Sequence, residues 1–157
     1  MLQKNKKIYL TKEGLEKLKE ELNYLTTEKR KEVASRIKEA KEFGDLSENS
    51  EYEEAKNKQA FVEGRIAEIQ NIFKNSVLIS NRGKSREKVF VGSKVTVDIE
   101  GELTEFIIVG STETNPMEGK ISNESPIGKA LLNRKIGDHV EVDVPAGKLV
   151  YKIKKIH

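Results

Sequence analysis

The sequence contains no cysteine and no tryptophan, and only 6% of its residues are aromatic. The absence of cysteine excludes disulfide bonds, cysteine-ligated zinc sites and thiol nucleophiles. The apolar fraction of 36% lies below the roughly 45–50% that is typical of globular domains. One large hydrophobic core is therefore not expected in this chain of 157 residues.

Long apolar runs are also missing. The first ten residues, MLQKNKKIYL, are basic but lack the apolar segment of a signal peptide. No stretch approaches the roughly 18 consecutive apolar residues that a membrane-spanning helix requires. We therefore expect a cytoplasmic protein.

Charge is plentiful, at 35% of residues, and unevenly distributed along the chain. Residues 1–43 carry 12 Lys+Arg against 8 Asp+Glu, residues 44–54 carry five acids and no base, and residues 55–157 carry 17 against 13. One short acidic segment thus lies between two basic ones. A solvated charged surface is the simpler interpretation of such a segment.

Helical periodicity dominates the first half of the chain. Thr11 is placed to cap a helix that begins with Leu10 and Leu15 as a hydrophobic staple. Apolar residues then recur at helical spacing, with an interruption between the fourth and fifth: Leu15, Leu18, Leu22, Leu25, Val33, Ile37, Ala40 and Phe43. Gly44 is a typical helix-ending residue.

A second helical pattern follows the acidic segment. Its core positions are Tyr52, Ala55, Gln59, Val62, Ile66, Ile69 and Phe73. Helices joined by so short a connection fold back on each other as an antiparallel hairpin. A dimerising coiled coil is the alternative, but the turn at Gly44 favours the intramolecular hairpin because each helix then has a partner.

Beyond Asn75 the pattern changes to the alternation of β-strands, in the groups Val95 to Ile99, Phe106 to Ile108, Val140 to Val144 and Leu149 to Ile153. A short helix is predicted from Pro126 to Asn133, after Ser125. The predicted fold class is α+β, with a coiled-coil hairpin over residues 1–75 and a compact β-rich domain over residues 76–157.

The connection between the two helices carries the strongest chemical signal. Asp45 and Glu48 have the spacing of a capping box, so they are candidates for starting the second helix. However, the loop gathers Asp45, Glu48 and Glu51 with no Lys or Arg among them. Oxygen ligands without histidine or cysteine suit Mg²⁺, although two carboxylates are too few to hold it without substrate phosphates and waters.

Three stretches of the sequence carry a resemblance to known proteins: GDLSENSEYEEAKNKQAFVEGRI at the predicted hairpin end, YLTKEGLEKLKEEL near the start, and ISNESPIGKALLNRKIGDHVEVDVPAG near the end. Together they are similar to the GreA/GreB family of bacterial transcript-cleavage factors. The resemblance covers nearly the whole chain. It implies an accessory factor, not an enzyme, whose hairpin enters the secondary channel of RNA polymerase and stimulates Mg²⁺-dependent cleavage of backtracked RNA by the polymerase itself, which rescues arrested complexes.

The resemblance also assigns roles to residues. It places the two catalytic, Mg²⁺-binding acids at Asp45 and Glu48, and basic residues that meet the RNA 3′ end at Lys41 and Lys56, for which ordinary helix solubility is the alternative. Residues expected to support the tip are Gly44, Ser47, Asn49, Glu51 and Tyr52.

The second domain is expected from the same resemblance to be FKBP-like and to dock on the polymerase through Ser125, Pro126, Ile127 and Gly128. A prolyl isomerase is the alternative that the fold suggests. It would need an aromatic-lined pocket, yet this part of the chain has only Phe90, Phe106 and Tyr151. We expect a monomer that shares Mg²⁺ with the polymerase and binds none tightly alone.

Overall fold

The computed structural model describes residues 7–44, 49–79 and 87–157. The first half forms an arm in which two helical segments run antiparallel to each other. Its elements are α1 (Lys12–Tyr24), a π-helical segment (Leu25–Lys29), α2 (Arg30–Glu42) and α3 (Ser50–Asn75). The predicted α-helical hairpin is therefore confirmed, with α3 ending at the residue that the sequence pattern indicated.

The first helix begins as the sequence predicts. The hydroxyl oxygen of Thr11 accepts a hydrogen bond from the backbone N–H of Gly14 at 3.0 Å, which satisfies one of the free amides of the first turn. The Thr11 N–H donates to the carboxylate of Glu113 at 2.8 Å. A Cβ at position 14 would overlap that carboxylate, so a larger residue there would displace the Glu113 side chain from Thr11.

The π-helical segment accounts for the interruption in the apolar pattern. Leu25 and Val33 are both buried although they lie eight residues apart, one more than a heptad. The wider π turn takes up the extra residue and keeps both side chains on the same face. Hydroxyl groups stabilise the segment, because Thr26 donates to the Leu22 carbonyl at 2.8 Å and Thr27 to the Asn23 carbonyl at 2.7 Å.

An apolar seam holds the hairpin together. Its buried side chains are Leu18, Leu25, Val33, Ala40, Ala55, Val62, Ile66, Ile69 and Ile72. Two bidentate ion pairs cross the seam: Arg65 to Glu21 at 2.7 and 2.9 Å, and Arg30 to Glu63 at 2.7 and 2.5 Å. The bond from Arg65 lowers the pKa of Glu21. Such exposed pairs contribute little, so burial in the seam supplies most of the stability.

The second half forms a five-stranded mixed sheet. Its strands are β3 (Lys94–Ile99), β4 (Glu102–Val109), β5 (Lys120–Ser122), β6 (His139–Val144) and β7 (Gly147–Ile156), in the spatial order β5-β4-β3-β7-β6. Only β4 and β5 are parallel; the other neighbouring pairs are antiparallel. The predicted α+β fold class is confirmed, with a helical hairpin followed by a β-rich domain.

One face of the sheet carries the core. Alternate residues of the strands pack there with Val89 and with Leu131 of α4 (Pro126–Leu131): Val95, Val97, Ile108, Val140, Val142, Tyr151, Ile153 and Ile156. The four predicted strand groups all lie in this sheet. The strand β5 was not predicted, because three residues are too few to show an alternating pattern.

Two further short strands, β1 (Ile8–Leu10) and β2 (Ser76–Leu78), pair in parallel. By its contacts the described chain forms two compact units, Leu15–Asn75 and a second one that joins the described residues up to Gly14 with Ser76–His157. The sequence-based division at residue 76 did not anticipate that residues before α1 group with the sheet. Leu10, which is fully buried, is the main apolar contribution of this strand pair.

No helix in residues 7–44, 49–79 or 87–157 is both long and apolar enough to cross a membrane.

Replacing glycine with alanine is expected to have opposite effects on stability at two positions. A Cβ at Gly110 would overlap the carbonyl oxygen of Tyr9, whereas a Cβ at Gly64 would meet nothing within 4 Å. We expect Gly110→Ala to destabilise the fold by about 1–3 kcal/mol. Gly64→Ala should instead stabilise α3 by about 1 kcal/mol, because alanine is the better helix former.

Thermal unfolding, followed by far- and near-ultraviolet circular dichroism, measures both changes. A Gly110→Ala variant as stable as the unaltered chain would show that the close approach of Tyr9 to Gly110 does not exist.

Candidate functional site at the hairpin end

The arm turns back at its far end, where α2 stops. The backbone N–H of Phe43 donates to the Ala40 carbonyl at 3.3 Å, and Gly44 adopts φ = +116°, a conformation that side-chain-bearing residues rarely accept. The predicted end of the helix at Gly44 is thereby confirmed. Asp45, Leu46, Ser47 and Glu48 lie outside the described residues, so the predicted roles of the two acids and of Ser47 stay predictions.

Asn49 joins the two helices with a single side chain. Its Oδ1 accepts a hydrogen bond from the backbone N–H of Tyr52 at 3.1 Å, which makes Asn49 the N-cap of α3. Its Nδ2 donates at 2.7 Å to the carbonyl oxygen of Ala40, in the last turn of α2. Asn49 is thus the observed N-cap of α3, which begins at Ser50, whereas the sequence offered Asp45 and Glu48 as candidates for this role and both lie outside the described residues.

The layer below the tip has small core residues. Ala40 is 2% exposed and Ala55 is 4% exposed, so both methyl groups are buried where α2 and α3 meet. Tyr52, placed one turn from Ala55, is half-buried, and its role in supporting the tip stays a prediction. Residues on either side of this contact therefore face two opposite flanks of the hairpin.

The predicted RNA-contacting lysines share one flank. Lys41 follows Ala40 by one residue and Lys56 follows Ala55 by one residue, so each is rotated about 100° from the helix contact in the same sense. Because the helices are antiparallel, equal rotations bring both lysines to the same side. We call this side, defined by Lys41 and Lys56, the basic flank. Both side chains are exposed, and the Lys56 ammonium donates to the Gln59 side-chain oxygen at 2.9 Å.

The other flank carries a cleft of about 240 Å³, which we call the tip cleft. Its lining residues are Arg36, Glu39, Ala40, Phe43, Glu51, Glu54, Ala55 and Lys58. Phe43 follows Ala40 by three residues, as Lys58 follows Ala55, so both are rotated about 60° from the helix contact, away from the basic flank.

Charges in the tip cleft are partly paired. Lys58 contacts Glu54 at 2.6 Å, and this bond, helped by the charge of Arg36, lowers the pKa of the Glu54 carboxyl. Glu39 accepts a hydrogen bond from Ser35 at 2.9 Å. Glu51 lies in the first turn of α3, where the helix dipole favours a negative charge.

The predicted docking residues have local structural roles. The Ser125 hydroxyl accepts from the Gly128 N–H at 3.0 Å and donates to the Ser122 carbonyl at 2.7 Å, so it caps α4. Gly128 is buried, and a Cβ there would overlap the Ser122 carbonyl oxygen. Ile127 packs partly against the sheet core. Pro126 is the one exposed member of the four, and docking itself stays a prediction.

Sequence reasoning missed two features of the hairpin end. The cap at Asn49 had a signal, since asparagine is a preferred N-cap residue and Tyr52 follows three positions later. The sequence signal for the tip cleft was weaker, because only the helical phase of Phe43 relative to Ala40 indicates that Phe43 and Lys41 lie on opposite flanks. Within the described residues, no group of three or more His, Cys, Asp or Glu side chains is placed to hold a metal ion.

Fold and site together define a protein of two parts, a charged two-helix arm with an acidic connection and a small mixed sheet. Residues 8–78 match the family model described as "Transcription elongation factor, N-terminal", and residues 84–157 match "Transcription elongation factor, GreA/GreB, C-term". The chain belongs to the GreA/GreB family of transcription elongation factors.

Relatives named "Transcription elongation factor GreA" are similar over nearly their whole length. The protein of Acetivibrio thermocellus is 56% identical over 154 residues, covering 97% of both chains. That of Clostridium acetobutylicum is 55% identical over 157 residues, covering 99% of both. Among solved structures, the GreA factor homolog 1 (Gfh1) of Thermus thermophilus matches with 31% identity and a TM-score of 0.45, covering 97% of this chain and 99% of its own.

The role of Asn49 leads to a graded prediction for the stability of the hairpin. Asn49→Ala removes both side-chain bonds and should cost about 1–2 kcal/mol, because a cap and a bond to a helix-terminal carbonyl are lost together. Asn49→Asp keeps an acceptor for Tyr52 but cannot donate to Ala40, so its loss should be smaller. Urea unfolding monitored by far-ultraviolet circular dichroism measures both changes. Equal stability of Asn49→Ala and the unaltered chain would contradict the bridging role.

Proposed function

We propose that this chain binds RNA polymerase through its sheet unit and stimulates the polymerase's own cleavage of backtracked RNA with the end of its hairpin. Family membership and the names of the relatives support this function at the level of transcription elongation. The proposal goes further in two respects: the arm enters the secondary channel of the polymerase, and Mg²⁺ takes part in the cleavage.

The observation that carries the proposal is the cap at Asn49. Because Asn49 accepts from the N–H of Tyr52 and donates to the Ala40 carbonyl, the observed N-cap of α3 is a residue other than Asp45 or Glu48. We therefore give these two acids a task other than the N-cap of α3. Like charges that lie close together in a sequence favour the binding of a cation, because the cation relieves their repulsion.

The residues present fit Mg²⁺ in donor type, since Asp45 and Glu48 offer carboxylate oxygens and the connection contains no histidine or cysteine. Bound jointly with the polymerase, the ion would help to activate water and to stabilise the leaving oxygen of the RNA. Asp45 and Glu48 contribute negative charge and one or two of the ligands. Two carboxylates alone bind Mg²⁺ weakly, so the hairpin end acts only when the polymerase and the RNA supply the other ligands.

The basic flank has a matching task. Lys41 and Lys56 place two ammonium groups on one side of the hairpin end, where they attract the phosphates of the displaced RNA 3′ end. Neither lysine has a carboxylate partner within the described part of the chain.

Two other functions receive less support. A prolyl isomerase needs an open aromatic pocket, but Tyr151 is buried in the sheet core and Phe106 packs beside it, with ring centroids 6.3 Å apart. A dimerising coiled coil needs an unpaired apolar seam, whereas the seam of each helix here is covered by the other helix of the same chain. A monomeric accessory factor is the function that these contacts favour.

The central test replaces the two acids with amides. Asp45→Asn with Glu48→Gln changes shape little, and the Asn49 cap remains, so the hairpin should keep its stability. An amide is a far poorer Mg²⁺ ligand than a carboxylate. We expect this double variant to bind polymerase normally and to lose at least a hundredfold in the rate of RNA shortening in stalled complexes, a loss of about 2.7 kcal/mol in transition-state stabilisation.

A matched control removes two other acids near the tip, Glu42→Gln with Glu53→Gln, which are exposed residues of α2 and α3. This variant changes the net charge equally and should stimulate cleavage almost as well as the unaltered chain. If the variant with Asp45→Asn and Glu48→Gln stimulated cleavage at the rate of the unaltered chain at limiting Mg²⁺, the proposed role of the two acids would be disproved.

The basic flank is tested through salt dependence. Lys41→Glu with Lys56→Glu should weaken the affinity for a backtracked complex, more at low than at high salt, because salt screens phosphate contacts. If each lysine neutralises one phosphate of single-stranded RNA, the slope of log affinity against log salt should fall by about 1.4. Lys31→Glu with Lys38→Glu, on the side of α2 that faces away from α3, is the control. A loss that is independent of salt would count against phosphate contacts.

A further inference from the structure

The two flanks of the hairpin end offer different chemistry to a partner. The basic flank presents Lys41 and Lys56, whereas the tip cleft is lined by three acids and two bases, Glu39, Glu51, Glu54, Arg36 and Lys58. A net negative cleft repels phosphates. If RNA contacts the basic flank, as proposed above, the tip cleft on the opposite side is available to a different partner.

Phe43 and Glu51 make the tip cleft suitable for a cationic side chain. Phe43 is 79% exposed, although a ring of this size gains free energy by leaving water. Glu51 lines the same cleft, and its carboxylate forms no hydrogen bond or ion pair with residues 7–44, 49–79 or 87–157. The other acids of the cleft already contact Ser35 or Lys58. The tip cleft therefore offers an aromatic ring and a carboxylate that has no partner among the described residues.

We infer that the tip cleft binds an arginine side chain from the protein wall of the polymerase channel, stacked on Phe43 and paired with Glu51. A guanidinium fits both groups at once, because it is planar, stacks on aromatic rings and donates two parallel hydrogen bonds to a carboxylate. Ala40 and Ala55 line the same cleft and offer apolar surface to the aliphatic part of the side chain.

This contact would fix the rotation of the arm about its long axis. A two-helix arm in a channel can rotate, and rotation would move Lys41, Lys56 and the acidic connection away from the RNA. An anchor on the flank opposite the lysines keeps the basic flank turned toward the RNA. The inference rests on the proposed function, since it requires the arm to lie in a protein channel.

The test measures the affinity of the labelled full chain for RNA polymerase that carries no nucleic acid. Phe43→Leu keeps an apolar side chain without the aromatic face, and Glu51→Gln removes the charge. Each should weaken binding about three- to tenfold, as expected for one cation–π contact or one charged hydrogen bond. The double variant should lose less than the product of the two, because both groups bind one cation. Phe43→Tyr should bind as the unaltered chain does.

Matched controls come from the same arm. Phe61→Leu replaces another ring, 75% exposed, that does not line the tip cleft. Glu53→Gln removes the other acid of the first turn of α3 and therefore has the same effect on the helix dipole. Both controls should bind as the unaltered chain does, and circular dichroism should show equal helix content in all variants.

Three results would overturn the inference. Unchanged affinity in Phe43→Leu and Glu51→Gln would show that the tip cleft binds nothing. A loss seen only with backtracked RNA would assign the cleft to the nucleic acid. Equal losses in the Phe61 and Glu53 controls would show a general effect of the arm. Failure of the unaltered chain to bind polymerase or to shorten RNA would instead overturn the proposed function, and with it the inference.

Discussion

The hairpin end depends on the side-chain amide of Asn49. Its oxygen caps α3 and its nitrogen binds a carbonyl in the last turn of α2, nine residues earlier in the chain. An amide suits this position because its oxygen accepts one hydrogen bond while its nitrogen donates another, whereas an ionised carboxylate has no hydrogen to donate to the Ala40 carbonyl. One side chain thus bonds to both helices at the end of the arm.

The meeting of α2 and α3 at Ala40 and Ala55 gives the arm its two flanks. Both alanines are buried there, and helical phase directs the residues one or three positions away to one side or the other. Lys41 and Lys56 then lie opposite Phe43 and Glu51, although all four are close in sequence to the same two alanines. Helical phase alone separates the positive charges of the two lysines from the negative charge of Glu51. This separation costs little stability, because all four side chains remain at the surface.

The low apolar content of the chain reflects how its two parts are stabilised. The arm needs only one apolar seam, and the rest of its surface is free to carry charge. The sheet unit has the more conventional core, in which strands β3, β4, β6 and β7 contribute alternate residues and α4 closes one face. The described residues before α1, among them the buried Leu10, belong to the sheet unit. The 61 residues from Leu15 to Asn75 form the other unit, and after them the chain returns to the sheet unit.

Local patterns in the sequence determined the hairpin, the ends of its helices at Gly44 and Asn75, four of the strands and the cap of α4, because periodicity and capping depend on residues close together in the chain. Tertiary structure decided the features that join distant residues. These are the π turn that aligns Leu25 with Val33, the pairing of β1 with β2, the contact of Glu113 with Thr11, and the bridge from Asn49 to Ala40. Each of these features requires two segments to meet in space. A linear pattern does not indicate which of several suitable side chains will bind a given free backbone group.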